Sequence, residues 1–384
     1  MAVLKIPAVY MRGGTSKGVF FNARDLPRDP ELRDRILLRV LGSPDPYSRQ
    51  ADGMGGASHS TSKVVVVDAS ARDDCDVEYR CGQVAIDRPL IDWTASGDSL
   101  AVAVGPYAIQ QGLVAAREGT TVVRIWQPHP GRFLEAHVEV RNGEVLEDGL
   151  FTEDGVPFPA AEVRLEFIDE GATDLLPTGR VQDVLQIEGV GELPVSLIRT
   201  DEVSIFVRAA DLGLNGREKA DAFNRDAKTL ARLEMVRREG AVAMGLMSRA
   251  RAEKPGASLP RLVWVAPPMS YKSVSGMDVP KDSIDVLARA MADGRMQRGF
   301  GTRSAISLAV AAAVPGSIVS QVARTLPGVA TRIGHASGVQ AAWATVVRKG
   351  SGWALERATV SRTARCLMSG WVHVPTGPGR LCGL

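Results

Sequence analysis

The sequence predicts an α+β fold of two related domains, each an apolar central helix wrapped by strands. Three observations point there. Strand-like runs are short and recur along all 384 residues, with too few helical stretches between them for a regular βαβ array. Two segments, at 99–106 and 307–315, carry almost no charge, and a helix that is apolar all round is a buried one. Both contain Ser-Leu-Ala-Val-Ala and they lie about half a chain apart, which reads as one central helix per domain. Two unrelated Ala-rich core helices would look the same at this level.

The elements follow in order. A helix is expected at 30–41, with Glu31 and Asp34 near its start and Arg39 near its end. The valine run at 64–67 is a buried strand. Strands at 121–126 and 135–140 flank the turn at 129–131, and Asn142-Gly143 marks a hairpin turn after them. Further strands are expected at 203–207, 262–265 and 371–374, the last before a Pro/Gly-rich tail. Helices are expected at 217–239, which is charged and amphipathic, and at 283–293, with Asp285 in its first turn. The turn-rich point at 176–179 suggests domains at 1–178 and 179–384, with the extreme C-terminus free to return to the first domain and the pocket between the two.

Bulk composition excludes several classes. The chain is 45% hydrophobic and 23% charged with a net charge of +2, so no broad basic field points to nucleic acid or a membrane surface. Aromatic residues make up 5%, too few for a base-stacking platform. Cys75, Cys81, Cys366 and Cys382 form no Cys-x-x-Cys pair, and neither a disulfide framework nor a metal site is expected. The N-terminal residues lack the pattern of a signal peptide, and no apolar run approaches membrane-spanning length, so a cytoplasmic location is expected. A homodimer is compatible with the sequence, but no residue pattern specifies one.

Two glycine-rich stretches carry the chemistry. The first is Gly-Gly-Thr-Ser-Lys-Gly-Val at 13–19; the second, Asp-Gly-Met-Gly-Gly-Ala at 52–57, runs on to His59, Ser62 and Lys63. Each sets a lysine beside small hydroxyl residues on a backbone that a ligand can approach closely. Lys63 is the candidate acid/base, at the edge of the interior where the valine strand begins. A lysine acts as a base near neutral pH when burial or a nearby cation disfavours its charge, and Lys17 and Arg12 are candidate cations. The alternative is an exposed strand-end lysine. Ser16 and Thr15 offer hydroxyls and N–H groups to a carboxylate, or simply form a tight turn. The spacing is neither a Walker A loop nor a Gly-x-Ser-x-Gly elbow.

Ser96, Gly97 and Asp98 open the first apolar helix, where N–H groups attract anions, although Ser96 or Asp98 could serve only as a cap. In the second half Gly-His-Ala-Ser-Gly at 334–338 is another polar loop. His335 and Ser337 there, with Arg303 ahead of the second apolar helix, are candidates for binding an acidic substrate. His129, His137 and His373 lie in or beside strands and read as structural.

These strings resemble the PrpF family. The match is carried by Tyr-Met-Arg-Gly-Gly-Thr-Ser-Lys-Gly at 10–18, Asp-Gly-Met-Gly-Gly at 52–56 and Thr-Ser-Lys at 61–63. It extends nearly end to end through 104–108, 135–138, 206–213, 265–268, 332–335 and 361–365. The resemblance implies a diaminopimelate-epimerase-like fold, with a mixed sheet curled round a central helix in each domain. It also implies cofactor-independent proton transfer on a small unsaturated di- or tricarboxylate such as methylaconitate, aconitate or oxalomesaconate. The family acid/base falls on Lys63 and its loop serine on Ser16. Two departures stand out. The family's usual cysteine at the start of the first central helix falls on Gly97, and Thr-Asp-Glu-Val-Ser at 200–204 replaces an Ala-Gly-Asn-Pro-like turn. Lys63 acting alone on one face, a different substrate, and binding without catalysis are all compatible with these changes. So is a racemase of the same fold, although it needs a second base; Cys81, in a strand, is a poor substitute.

Overall fold

Short runs rich in valine, isoleucine and threonine recur along this chain, and they form mixed sheets. The computed structural model describes residues 3–94, 98–168, 174–252, 259–297, 299–326, 328–350 and 352–375. Two units are present: Met1–Phe167 with Ser361–Leu384, and Ile168–Val360. The break therefore comes at Phe167, upstream of the turn at 176–179. That turn stays with the second unit because Leu175 and Leu176 are buried, and the Leu175 backbone bonds to Trp353 and Arg199.

The first unit contains β1 (Val3–Gly13), β2 (Ser16–Asn22), α1 (Pro30–Leu41), β3 (Lys63–Ala69), β4 (Val77–Val84) and β5 (Ile91–Asp92). α2 (Asp98–Gln110), β6 (Gly119–Gln127), β7 (Arg132–Arg141), β8 (Glu144–Val145) and β9 (Glu162–Ile168) follow. The second unit contains β10 (Asp183–Ile187), β11 (Gly191–Arg199), β12 (Val203–Arg208), α3 (Ala220–Phe223), α4 (Ala227–Ala243) and α5 (Arg249–Ala252). Next come β13 (Arg261–Ala266), β14 (Tyr271–Lys272), β15 (Asp278–Val279), β16 (Val286–Ala292) and β17 (Arg295–Met296). It ends with α6 (Thr302–Ala313), α7 (Ile318–Val322), β18 (Thr331–His335), β19 (Gly338–Lys349) and the first part of β20 (Gly352–Pro375), whose remainder pairs with β1.

Strand pairing repeats between the units. In the first, β1–β2 is antiparallel, β2–β3 parallel, β3–β4 antiparallel, β4–β6 parallel and β6–β7 antiparallel. In the second, β11–β12, β12–β13, β13–β16, β16–β18 and β18–β19 follow the same alternation. Each parallel pair needs a crossover, and helices supply it: α1 and α2 in the first unit, α4 and α6 in the second. α2 packs against β1, β2, β3, β4, β6 and β7, and α6 against β11, β12, β18 and β19. Strands pack around both central helices, so most of their buried side chains are small and apolar.

Local signals set several boundaries. α1 has Asp29 as its N-cap, Pro30 at its first position and Gly42 at φ 74 after its end. Asn142 and Gly143, at φ 55 and 77, form the primed turn of the β7–β8 hairpin. Other expectations are corrected. Within 283–293 the chain forms a strand, β16 at Val286–Ala292, buried at every position between β13 and β18, so its apolar residues serve two faces and mimic helical spacing. The helix expected at 217–239 is split: α3 ends at Phe223 and α4 starts anew at Asp226, whose carboxylate caps the Thr229 N–H. α2 runs on through Pro106 to Gln110. No described helix is long and apolar enough to cross a membrane.

Gly105 fixes how closely α2 lies on β7: a Cβ there would sit 2.7 Å from Ala136 Cβ and 3.0 Å from Val138 Cγ2. Gly105→Leu should therefore cost roughly 1–3 kcal/mol by overpacking, read as a lower urea midpoint; an unchanged midpoint would mean that this contact does not form.

Candidate active site

Three glycines bring the candidate residues together at the first turn of α2. β1 and β2 form a hairpin closed by Gly14, at φ 54, and Thr15. A Cβ on Gly13 would lie 2.7 Å from the Ser99 carbonyl oxygen and 3.1 Å from Leu100 Cα. One on Gly18 would lie 2.8 Å from the Lys63 carbonyl oxygen, 3.2 Å from Lys63 Cβ and 2.9 Å from Leu100 Cδ1. Any larger residue would push β2 away from both Lys63 and the helix.

Strand alternation then sorts the side chains. Ser16 and Gly18 share the face of β2 that meets α2, and Lys63 faces the same way beside Gly18. Ser16 thus lies one two-residue step, roughly 7 Å, along the strand from the residue that touches Lys63. Ser16 is buried, and among the described residues its hydroxyl has no hydrogen-bond partner. Lys17 points to the other face, with its ammonium 5.3 Å from the centre of the Tyr10 ring. It is not a cation beside Lys63. Thr15 is exposed at the tip of the hairpin, where only a glycine, Gly155, fits against its methyl group.

Lys63 is only 5% exposed, and its Nζ donates to Gln83 Oε1 at 2.7 Å. Among the described residues no carboxylate pairs with it. Gln83 stands opposite Lys63 in the β3–β4 register and donates its amide hydrogens to the carbonyls of Ser62, at 3.1 Å, and Val84, at 3.4 Å. The Ser62 hydroxyl is fully buried and donates to Gln50 Oε1 at 2.6 Å, so it is committed to the fold rather than presented to a ligand. Gln50 also accepts from the Ala57 N–H and donates to the Ser43 hydroxyl, tying down the second glycine-rich stretch. Neither glutamine stands out in the sequence, because an amide has no characteristic spacing.

Arg12, the other candidate cation, serves the hairpin instead. It donates to the Gly14 carbonyl at 3.1 Å and to the Thr363 hydroxyl at 2.7 Å. Glu153, itself buried, accepts from the Thr363 N–H and hydroxyl and pairs with Arg362 at 2.9 Å. Burial lowers the pKa of the Arg12 guanidinium, and the Glu153 charge works against that shift. This cluster holds the Gly14–Thr15 turn from behind.

Ser96 and Gly97 lie outside the described residues, as does the side chain of Asp98, the first residue of α2. In the second unit His335 is buried at the end of β18, stacked on Phe300 with ring centres 6.2 Å apart. Its Nδ1 accepts from the Ser337 N–H at 3.2 Å, which leaves Nε2 to carry the hydrogen in the neutral ring. Tyr271 donates to the carbonyls of His335 and Gly338 and fixes this turn. Arg303 follows Phe300 by three residues, in the first turn of α6, whose N-cap Gly301 supplies no side-chain cap. Arg303, His335 and Ser337 thus belong to neighbouring segments of one unit.

In the second unit the parallel pair β12–β13 begins beside a closed ion pair: Arg261 donates to Glu202 at 2.7 Å, and Ser304 on α6 donates to the other carboxylate oxygen at 2.6 Å. Elsewhere Glu135, His137 and Glu166 bring ligand-type atoms within 4.8 Å of one another, a grouping the sequence did not suggest. The Arg164 guanidinium already bonds both Glu166 and His137 Nδ1, as an ion-pair cluster would.

Comparison with known proteins places these residues in context. The PrpF protein family model matches residues 3–375. The chain is 42% identical to the 2-methyl-aconitate isomerase of Shewanella oneidensis, over 97% of each chain. The crystal structure of a methylitaconate-delta-isomerase superposes with a TM-score of 0.90 at 35% identity, covering 99% of this chain and 98% of that one. A probable proline racemase from Agrobacterium radiobacter shares the fold alone, with a TM-score of 0.50 at 13% identity over 97% of this chain and 94% of that one. The fold is thus diaminopimelate-epimerase-like, with a mixed sheet round a central helix in each unit.

His59 provides a probe of Lys63. Burial lowers the pKa of its imidazole, and the positive charge of Lys63 lowers it further. Protonating His59 therefore opposes the folded state, a penalty felt as pH falls through the ordinary histidine range and absent above it. In Lys63→Met only burial remains, so the His59 midpoint, followed by NMR, should rise toward the ordinary value; an unmoved midpoint would separate the two residues.

Proposed function

The chain belongs to the PrpF family and is an isomerase, and we propose that it moves a proton along a small unsaturated di- or tricarboxylate. The outcome would be a double-bond shift or a cis–trans isomerisation. The observation that carries this reading is the buried Lys63 amine, bonded to a neutral amide beside Gly18, one strand step along β2 from a Ser16 hydroxyl that has no partner among the described residues. The named activities of the relatives, on methyl-aconitate and methylitaconate, support the substrate class.

The chemistry requires a base and a means of holding negative charge. A C–H next to a carboxylate and conjugated to a C=C is acidic enough for an amine to remove. Lys63, as the free amine, takes that proton, and the electron pair spreads over the conjugated system onto carboxylate oxygens. Ser16 donates a hydrogen bond to that developing charge, and the N–H groups at the start of α2 add the positive end of a helix dipole. The Lys63 ammonium then returns a proton at the γ-carbon, which shifts the double bond. Rotation of the intermediate before reprotonation gives the cis–trans outcome. In the second unit Arg303, His335 and Ser337 supply a guanidinium, an imidazole N–H and a hydroxyl suited to a carboxylate.

A single base favours isomerisation over racemisation, which needs an acid and a base on opposite faces of one carbon. In the second unit Arg261, at the start of β13, is locked to Glu202 and is always charged. Cys81 is buried within β4. Burial and Asp74 push the Cys75 thiol up to about 11, so Cys75 provides no thiolate at neutral pH.

The test is a panel of unsaturated di- and tricarboxylates incubated in heavy water and followed by NMR. Native protein should wash deuterium into at least one of them. Lys63→Met should lose roughly 10²–10⁴-fold in rate, and Ser16→Ala roughly 10²-fold in kcat. Full exchange by Lys63→Met would remove it as the base. A folded native protein that binds these acids but exchanges none would be a carboxylate-binding protein and not an isomerase.

A further inference from the structure

We infer that Gln83 is the positioning residue that keeps Lys63 usable as a base, because it grips the amine through a neutral acceptor whose orientation the backbone fixes. This rests on the assignment of Lys63 made above.

An isolated side-chain amide can flip and exchange its donor for its acceptor. Gln83 cannot do so without cost. Its Nε2 faces two carbonyl oxygens, of Ser62 and Val84, and a flip would turn Oε1 against both of them. The acceptor is therefore held toward Lys63 Nζ, 2.7 Å away. The carbonyls that hold it are themselves anchored. The Ser62 carbonyl accepts from the Val84 N–H at 3.0 Å, and the Ser62 hydroxyl is bonded to Gln50, which is 1% exposed. A continuous chain of hydrogen bonds thus runs from the second glycine-rich stretch through Gln50, Ser62 and Gln83 to the amine.

The choice of an amide has a chemical consequence. Both the amine and the ammonium can donate to Gln83 Oε1, so the grip survives a change of protonation and the nitrogen keeps its place throughout a cycle. A glutamate of the same length would form an ion pair, and its charge would favour the ammonium. Among the described residues, other ionisable groups on the elements packed around Lys63 are His59 in the preceding loop, Cys81 on β4 and Lys17 on the far face of β2. None of these replaces Gln83 as the acceptor of the Nζ–H.

The experiment compares native protein, Gln83→Glu, Gln83→Met and Ser62→Ala, using the pH dependence of kcat/KM on an acid that the native protein isomerises. Gln83→Glu should move the acid limb upward by more than about one pH unit and recover activity as pH rises. Gln83→Met should keep the native limb, lose about a hundredfold in kcat and leave KM nearly unchanged. Ser62→Ala, which removes a purely structural hydroxyl, should lower the melting temperature without moving the limb. If native protein is inactive on the whole panel, or Lys63→Met stays active, the base assignment has failed. If Lys63→Met is dead while Gln83→Glu keeps the native limb, or Gln83→Met keeps the native kcat, the role of Gln83 is overturned. Should Gln83→Glu fail to fold, the kcat and KM of Gln83→Met decide.

Discussion

The site depends on how closely the first turn of α2 approaches the edge of its sheet. Gly13 and Gly18 leave no room for a side chain: Cβ atoms there would meet the backbone of Ser99 and Lys63 at under 3 Å. That contact sets Ser16, Lys63 and the positive end of the helix side by side. It also explains why polar residues can be buried here. The helix brings N–H groups, the hairpin brings a hydroxyl, and the strand edge brings an amine, so each polar group can be satisfied by a neighbour or by a bound anion.

Burying a lysine is costly unless its hydrogens find acceptors, and the usual solution is a carboxylate. Among the described residues this chain uses an amide at Lys63 and keeps its carboxylates elsewhere. Glu153 secures the hairpin from behind through Thr363 and Arg362, and Glu202 neutralises Arg261 in the second unit. One topology, used twice, therefore carries different electrostatics in the two units. An amine with a neutral partner can exchange a proton, whereas a guanidinium locked to a carboxylate can only hold structure.

Much of this was legible in the primary structure. α1 carries its own cap, its proline and its terminal glycine within 14 consecutive residues, Asp29 to Gly42. The Asn142-Gly143 hairpin depends only on two residues that tolerate positive φ. The central helices announce themselves by having no polar face, and Lys63 by standing where an all-valine strand begins. Errors arose where local patterns were ambiguous. The residues of β16 are apolar on both faces, so spacing alone cannot separate strand from helix. Lys17 reads as a second site cation from its place in a glycine-rich stretch; because Ser16 starts a strand, alternation turns Lys17 toward Tyr10.

The amino-acid order determined which segments become helices and strands, that the chain repeats, and that an amine and a hydroxyl stand at strand starts, since those properties depend on neighbours within a few positions. Only the tertiary structure decided which side chains meet. Gln83 reaches Lys63 across 20 residues through antiparallel register, Thr363 reaches Arg12 across 351, and Glu202 reaches Ser304 across 102. Such pairings depend on strand register and helix approach, which are properties of the packed whole and leave no mark on the spacing of residues along the chain.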